Sequence, residues 1–383
     1  MPVPVHFAAT GCLTALGDLD ATMAALTGAS DATAGIRPGP EWAPGDLRFA
    51  MVKEDVSDYS RHRTFGLALA LLRRAAGEGT DIDPDGLAVI FATTTSGMLL
   101  GEVAIEQHVR GKSPDVPDDV LMCHLAHRPA EAVATALVAT GPWLTVSTAC
   151  TSGTVAFGVA MDLLRAGRCR RALVIGADAL CRTTVYGFRS LGACSPARCR
   201  PFDEARDGMM IGEGAAFALL EPGEGAIELL GCASRTDAHH LTAPDPQGRG
   251  LVRAMLAALG NVDRGAIDHV NAHATGTVTN DGVEAGALAE AAPAAWVSAT
   301  KGATGHTLGA AGVLEAVILA ESMRRGVVPA SVGCERPVGG VAVAEVSRPR
   351  SQRIGVSVNM AFGGHNAAIV LRSNAGPVSM GRL

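Results

Sequence analysis

Short, almost purely apolar runs alternate along the chain with longer stretches whose apolar residues recur at helical spacing. Runs at 87–93, 144–147, 171–177, 215–220, 267–272, 296–299, 353–358 and 367–371 read as strands. Stretches at 65–76, 130–139, 155–166, 251–259, 282–291 and 310–325 read as helices. This alternation predicts an α/β protein with helix-covered sheets, and strands so continuously apolar are expected to be buried on both faces. The pattern also echoes itself. Val146-Ser-Thr-Ala-Cys-Thr-Ser-Gly153 opens an apolar helix that stops at Gly167, and Val297-Ser-Ala-Thr-Lys-Gly-Ala-Thr-Gly-His306 opens another that stops at Gly326. Glycine is the usual helix stop. A turn-rich seam at Glu221-Pro-Gly-Glu-Gly225 divides the chain into halves, 1–223 and 224–383.

Composition sharpens this picture. Of 383 residues, 48% are hydrophobic and only 4% aromatic, with 46 glycines, so the cores are built from small aliphatic side chains at close backbone approach. A net charge of −6 argues against nucleic acid as the main partner, since phosphate binding needs a basic footprint. The nine cysteines lack CxxC pairs and zinc-like spacing, which points to reduced thiols and a cytoplasmic setting. The N-terminus has no basic segment of signal-peptide shape. Residues 132–161 carry no Asp, Glu, Lys or Arg, a length that spans a bilayer. Gly141-Pro142, eight Ser or Thr and a change of period within the run indicate a buried strand and helix, so no membrane insertion is expected.

Candidate chemistry centres on Cys150. A β-branched run, small residues and then an apolar helix place its thiol at a helix N-terminus, where aligned peptide dipoles stabilise a thiolate. His273, in Asn271-Ala-His-Ala-Thr-Gly-Thr277, and His306 lie in Gly/Thr-rich turns that present side chains. One cysteine and two histidines read as acyl-transfer chemistry. The competing reading is a buried structural cysteine, common for this residue type.

With Arg200-Pro-Phe-Asp-Glu-Ala-Arg-Asp-Gly208, Gly212-Glu-Gly214, Lys301 to Gly312 and Ala361-Phe-Gly-Gly364 added, five motifs appear in one order. Together they resemble the β-ketoacyl-acyl-carrier-protein synthases of the thiolase superfamily, the elongating Cys-His-His type. Thr93-Thr-Thr-Ser-Gly97 and Asp237-Ala-His-His-Leu-Thr-Ala-Pro-Asp-Pro-Gln-Gly248 resemble the aryl-polyene or type II polyketide kind. The resemblance implies a five-layer α-β-α-β-α sandwich of two duplicated halves, the first carrying the nucleophile and the second the histidines and lysine. It implies decarboxylative condensation of an acyl group held on Cys150 with malonyl-carrier protein. His273 and His306 would hydrogen-bond the enolate oxygen, and Lys301 would pair with Glu284, with Glu315 a further acidic residue of the site. The backbone N–H groups of Cys150 and Phe362 would form the oxyanion hole. Phe362 would also gate the acyl tunnel, with Met360, Gly363 and Gly364 lining it, and Thr275 and Thr277 would hold the phosphopantetheine arm. No metal or resident cofactor is implied, the substrates riding on that arm of an acyl carrier protein. The expected assembly is a homodimer, or a heterodimer with a chain-length-factor homologue. The alternative function is the non-catalytic chain-length-factor-like subunit itself, which typically lacks the nucleophile. Asp203, Asp207 and Glu213 are expected to brace the Gly-rich segment.

Three departures from the family pattern stand out. Ala274 follows His273 where Gly is common, so its backbone is expected to tolerate a Cβ. Met360 replaces a second Phe, and His365 follows Gly-Gly where Thr or Asn is usual. For docking of an acidic carrier, the expected basic groups are Arg198, Arg200 and Arg206, with Arg61 and Arg63 as a second cluster.

Overall fold

The structure, a computed structural model, describes residues 3–374 except 59, 61, 114–121 and 123. Ten strands form its frame. The first five are β1 (Val5–Leu13), β2 (Leu87–Ala92), β3 (Trp143–Val146), β4 (Arg171–Asp178) and β5 (Gly214–Pro222). The second five are β6 (Ile227–Thr236), β7 (His269–Asn271), β8 (Trp296–Ser298), β9 (Ile354–Ala361) and β10 (His365–Ser373). Their order across the sheet is β3-β2-β4-β5-β1 and then, in reverse, β6-β10-β9-β7-β8, with Ala342–Val343 as a short edge strand beyond β8. Each five therefore has the same order and the same mixture of parallel and antiparallel pairs. Ladder pairing is continuous between the two through one pair, His6 with Glu228.

Six helices complete the layers: α1 (Arg63–Gly77), α2 (Arg128–Ala136), α3 (Ser152–Arg165), α4 (Arg249–Leu259), α5 (Val278–Ala291) and α6 (Ala311–Arg325). Side-chain alternation along each strand assigns the faces. Leu87, Val89 and Phe91 of β2 pack outward with Leu67, Leu71, Ala130 and Val133 of α1 and α2. Ala88, Ile90 and Ala92 point inward to Phe157 and Ala160 of α3 and Val313 and Val317 of α6. In the second half, Val356 and Val358 of β9 face Leu251, Met255 and Leu288 of α4 and α5. The result is helix, sheet, helix, sheet, helix, with the strands of continuous apolar sequence buried on both faces except the edge strand β3.

The central pair α3 and α6 carries the two echoing sequence segments, each following the third strand of its half. They cross at backbone contact. A Cβ on Gly153 would sit 2.4 Å from the amide nitrogen of Val313, and one on Gly312 2.4 Å from that of Thr154. β1 and β6, the first strand of each half, are absent from the sequence-based assignment. Gly11 and Thr10 interrupt the apolar pattern of β1, and β6 turns polar at Ser234-Arg235-Thr236. Tertiary pairing overrides the weak local signal there.

Gly153→Ala is expected to lower unfolding stability by about 3 kcal/mol, because backbone atoms must separate to admit the methyl group. The midpoint of urea denaturation reads this directly. An unchanged midpoint would mean the helices are not in obligate contact.

Candidate active site

Cys150 occupies a turn between β3 and α3 that its own hydroxyls fasten. The Thr148 N–H donates to Ser152 Oγ at 2.8 Å, Ser152 Oγ donates to the Ala149 carbonyl at 2.6 Å, and Thr151 Oγ1 donates to the Thr148 carbonyl at 2.7 Å. Ala149 adopts φ of 52°, a left-handed conformation that lifts the next side chain out of the strand line. Cys150 is partly exposed at the floor of a pocket of about 350 Å³. His273, from the turn after β7, and His306, from the turn before α6, enter the same pocket. His306 Nε2 lies 3.0 Å from Cys150 Sγ, and the two imidazoles meet edge to face with centroids 5.2 Å apart.

Behind the rings lies a fully buried ion pair. Lys301 Nζ donates to Glu315 Oε1 and lies 3.3 Å from His273 Nδ1. The expected pairing with Glu284 is thus corrected. Glu284 instead accepts the backbone N–H groups of His273 and Ala274, each at 2.7 Å, and so fixes the loop that presents His273. The reason is register: Glu315 is on the central helix α6 facing Lys301, whereas Glu284 is on the outer helix α5 beneath the His273 turn. Burial pushes the Glu284 carboxyl up to about 8.

Burial governs the remaining charges too. It holds both His273 and His306 well below the ordinary imidazole range, and the Lys301 cation pushes them the same way. Both rings are therefore neutral at neutral pH. Burial likewise raises the Cys150 thiol to about 12, against the pull of Lys301. The expectation of a resting thiolate is corrected accordingly. The resting group is a thiol in contact with a neutral imidazole, and the helix terminus acts on charge that develops during attack.

The other expected residues fall around this centre. Thr275 and Thr277 line the pocket with their hydroxyls 3.1 Å apart. Met360 is a buried wall residue. Phe362 is 39% exposed and stacks obliquely on Phe188, centroids 5.6 Å apart, at the pocket mouth. Gly363 and Gly364 carry φ of 84° and 71°, which lets the β9–β10 turn close, and of the two only Gly364 lines the pocket as expected. Ala274 has φ of 30°, so its Cβ is carried in a strained left-handed conformation, contrary to expectation, and the Glu284 bond to its N–H holds it there. His365 points to the nucleophile turn, its Nδ1 2.8 Å from Thr151 Oγ1.

Asp203 and Glu213 are bracing groups. Asp203 accepts the N–H groups of Ala205, Glu335 and Arg336, and Glu213 pairs with Arg63 at 2.6 Å. Arg63 is engaged in that pair, and Arg206 bonds the carbonyls of Asp203, Thr277 and Val278. Arg198 pairs with Glu335. Arg61 lies outside the described residues. Asn359 was missed by sequence reasoning. It stands on β9, with its amide between Glu315 and His273. Its signal was an amide in the largely apolar run of β9, on the same strand face as Ser357.

The fold and this site define an acyl-transfer enzyme of the thiolase type. Residues 68–226 match the Beta-ketoacyl synthase, N-terminal domain, and residues 226–335 the Beta-ketoacyl synthase, C-terminal domain. The chain belongs to the beta-ketoacyl synthase family. It is 32% identical over 319 residues to the 3-oxoacyl-[acyl-carrier-protein] synthase 2 of Synechocystis sp. (strain ATCC 27184 / PCC 6803 / Kazusa), a match covering 76% of each chain. The enzyme of the same name from Rhizobium meliloti (strain 1021) is 35% identical over 261 residues, and the match spans 62% of each chain. Among solved structures, a chain of the complex of a ketosynthase (ApeO) with its chain length factor (ApeC) from Xenorhabdus doucetiae superposes with a TM-score of 0.86 at 30% identity. That match covers 97% of this chain and 98% of the other.

Glu315→Gln leaves the Lys301 ammonium buried without its counter-charge and is expected to cost about 3 to 5 kcal/mol of stability. Adding Lys301→Met to that variant is expected to recover part of the loss. Urea denaturation of the three proteins tests this, and a Glu315→Gln protein as stable as the parent would contradict the pairing.

Proposed function

We propose that this chain is an elongating ketosynthase, condensing an acyl group on Cys150 with malonyl-acyl carrier protein. One observation carries the reading: a thiol, the His306 ring in contact with it and the His273 ring beside that share one pocket, backed by a buried lysine. A hydrolase needs only the first two of these.

In the first step the Cys150 sulfur attacks the acyl thioester, its proton passing to the departing pantetheine sulfur. In the second, malonyl-carrier protein loses CO2, and the two imidazoles hydrogen-bond the enolate oxygen. Neutral donors in a dry site stabilise charge that appears only in the transition state. The enolate carbon then attacks the acyl-Cys150 carbonyl, whose oxyanion we assign to the N–H groups of Cys150 and Phe362. Expulsion of the Cys150 thiolate, which regains a proton, leaves a β-ketoacyl thioester. Thr275 and Thr277 suit the phosphopantetheine arm, and no resident metal or cofactor has a role in this scheme. Among the described residues no cluster of His, Cys, Asp or Glu has metal-site geometry.

We also assign the division at 223/224 to two duplicated halves, supported by the repeated strand order. For assembly, we propose a dimer of this chain with itself or with a chain-length-factor homologue. Support comes from β3, which ends its half of the sheet as an edge strand with Trp143 42% exposed, a template for pairing with another chain. An acyl carrier protein is the expected substrate carrier. A cytoplasmic setting fits the eight described cysteines, all unpaired by disulfides, and no described helix is long and apolar enough to cross a membrane. The chain-length-factor reading is disfavoured by the intact contact between Cys150 and His306.

Cys150→Ala is expected to abolish the acyl mass gain seen on the intact protein, with the fold retained. His273→Ala and His306→Ala are expected to keep loading but lose roughly 10²-fold or more in malonyl decarboxylation, the usual cost of one charge-stabilising donor. Mass spectrometry and CO2 release separate the two steps. Acyl gain by the alanine-150 protein would move the nucleophile to another cysteine.

A further inference from the structure

We propose that Asn359 is a positioning residue for the condensation, fixing His273 in the tautomer that carries its proton on Nε2. The proposal rests on the ketosynthase reading and assigns to it a residue outside the thiol, imidazole and lysine set. Its ground is the hydrogen-bond geometry of one amide. Asn359 Nδ2 lies 2.7 Å from Glu315 Oε2 and 3.2 Å from His273 Nδ1, while its Oδ1 accepts from Thr154 Oγ1 on α3. A carboxylate paired with an ammonium offers only acceptors, so the end of the amide facing Glu315 is its NH2 group. The same NH2 therefore faces His273 Nδ1. Lys301 Nζ, which has donors alone, faces that nitrogen from 3.3 Å.

Two donors aimed at Nδ1 require a lone pair there. The ring proton is then on Nε2, the opposite nitrogen, in the pocket that also holds Cys150. Only that tautomer donates to an enolate oxygen. Strand alternation explains why β9 supplies this residue. Val356 and Val358 face the outer core, so Asn359 faces the central helices and the site. Through Thr154, four residues past the nucleophile, the amide also ties the His273 ring to the helix that follows Cys150. Asn359 touches no reacting atom in this arrangement and acts through His273.

The test measures two half-reactions on the purified full chain: acyl loading of Cys150 by intact mass, and CO2 release from malonyl-carrier protein. Asn359→Ala is expected to slow decarboxylation about 10- to 100-fold, as for a reacting group displaced by an ångström or less, and to change loading less than about threefold. Asn359→Asp keeps the volume but puts an acceptor opposite Nδ1, and the same loss is expected. In a His273→Ala background, Asn359→Ala is expected to cost nothing further, the non-additivity of residues that act as a unit. Equal loss of both half-reactions would show a merely structural role and overturn the proposal. So would a full additional loss on His273→Ala, or undiminished decarboxylation by Asn359→Asp. A parent protein that neither loads nor decarboxylates defeats the ketosynthase reading itself, and the proposal with it.

Discussion

Everything at this site depends on one ammonium group buried where water cannot reach it. Lys301 is neutralised by Glu315 on the central helix, and the pair is held between β9, α6 and the His273 turn. An isolated charge there would be intolerable, so the position of Glu315 is not negotiable once Lys301 is present. The pair sets the electrostatics of the pocket. Burial and, after it, the cation behind the two imidazoles disfavour a further positive charge, which leaves both rings neutral and able to donate one hydrogen bond each. Burial leaves Cys150 a thiol at rest, against the pull of Lys301. Thiol and rings are thus uncharged at rest, which under the proposed function favours transition-state over ground-state stabilisation.

The frame that delivers these groups is a consequence of small residues. Cys150 comes from the first half, and His273, Lys301 and His306 come from the second, so chemistry requires the halves to meet closely. Gly153 and Gly312 let α3 and α6 cross at backbone contact, immediately past the turns that hold Cys150 and His306. The chain's abundance of Gly and scarcity of aromatics is the compositional trace of that packing. Strand alternation then sorts each side chain, sending Val356 and Val358 to the outer core and Asn359 to the interior.

Much of this was legible beforehand, and for identifiable reasons. The six core helices and eight of the ten frame strands carry strong periodicity or continuous apolar runs, so local pattern and tertiary role agree. Cys150, His273 and His306 stand in Gly- and Thr-rich turns that advertise presentation. β1 and β6 were hidden because their apolar pattern is interrupted and their pairing partners are distant in sequence. The partner of Lys301 was misassigned because two glutamates, Glu284 and Glu315, follow the relevant turns at similar remove. Only the packing of α6 against Lys301 distinguishes them. The Cys150 thiol was expected to ionise because a helix N-terminus is visible in sequence, whereas the degree of desolvation is not. Ala274 illustrates the same limit. Its substitution for glycine was visible, but the strained φ it must adopt was not.

Burial, reinforced by the Lys301 charge, keeps both rings neutral, and Lys301 with Asn359 directs the His273 proton to Nε2. The most direct measurement is the nitrogen-15 NMR spectrum of histidine-labelled protein between about pH 5.5 and 8, where an unperturbed imidazole titrates near 6.5. Resonances of His273 and His306 would be assigned from single His→Gln variants. Both rings are expected to stay neutral across the range, with His273 showing an unprotonated Nδ1 and a protonated Nε2. An imidazolium signal from either ring near pH 7, or a proton on His273 Nδ1, would contradict it.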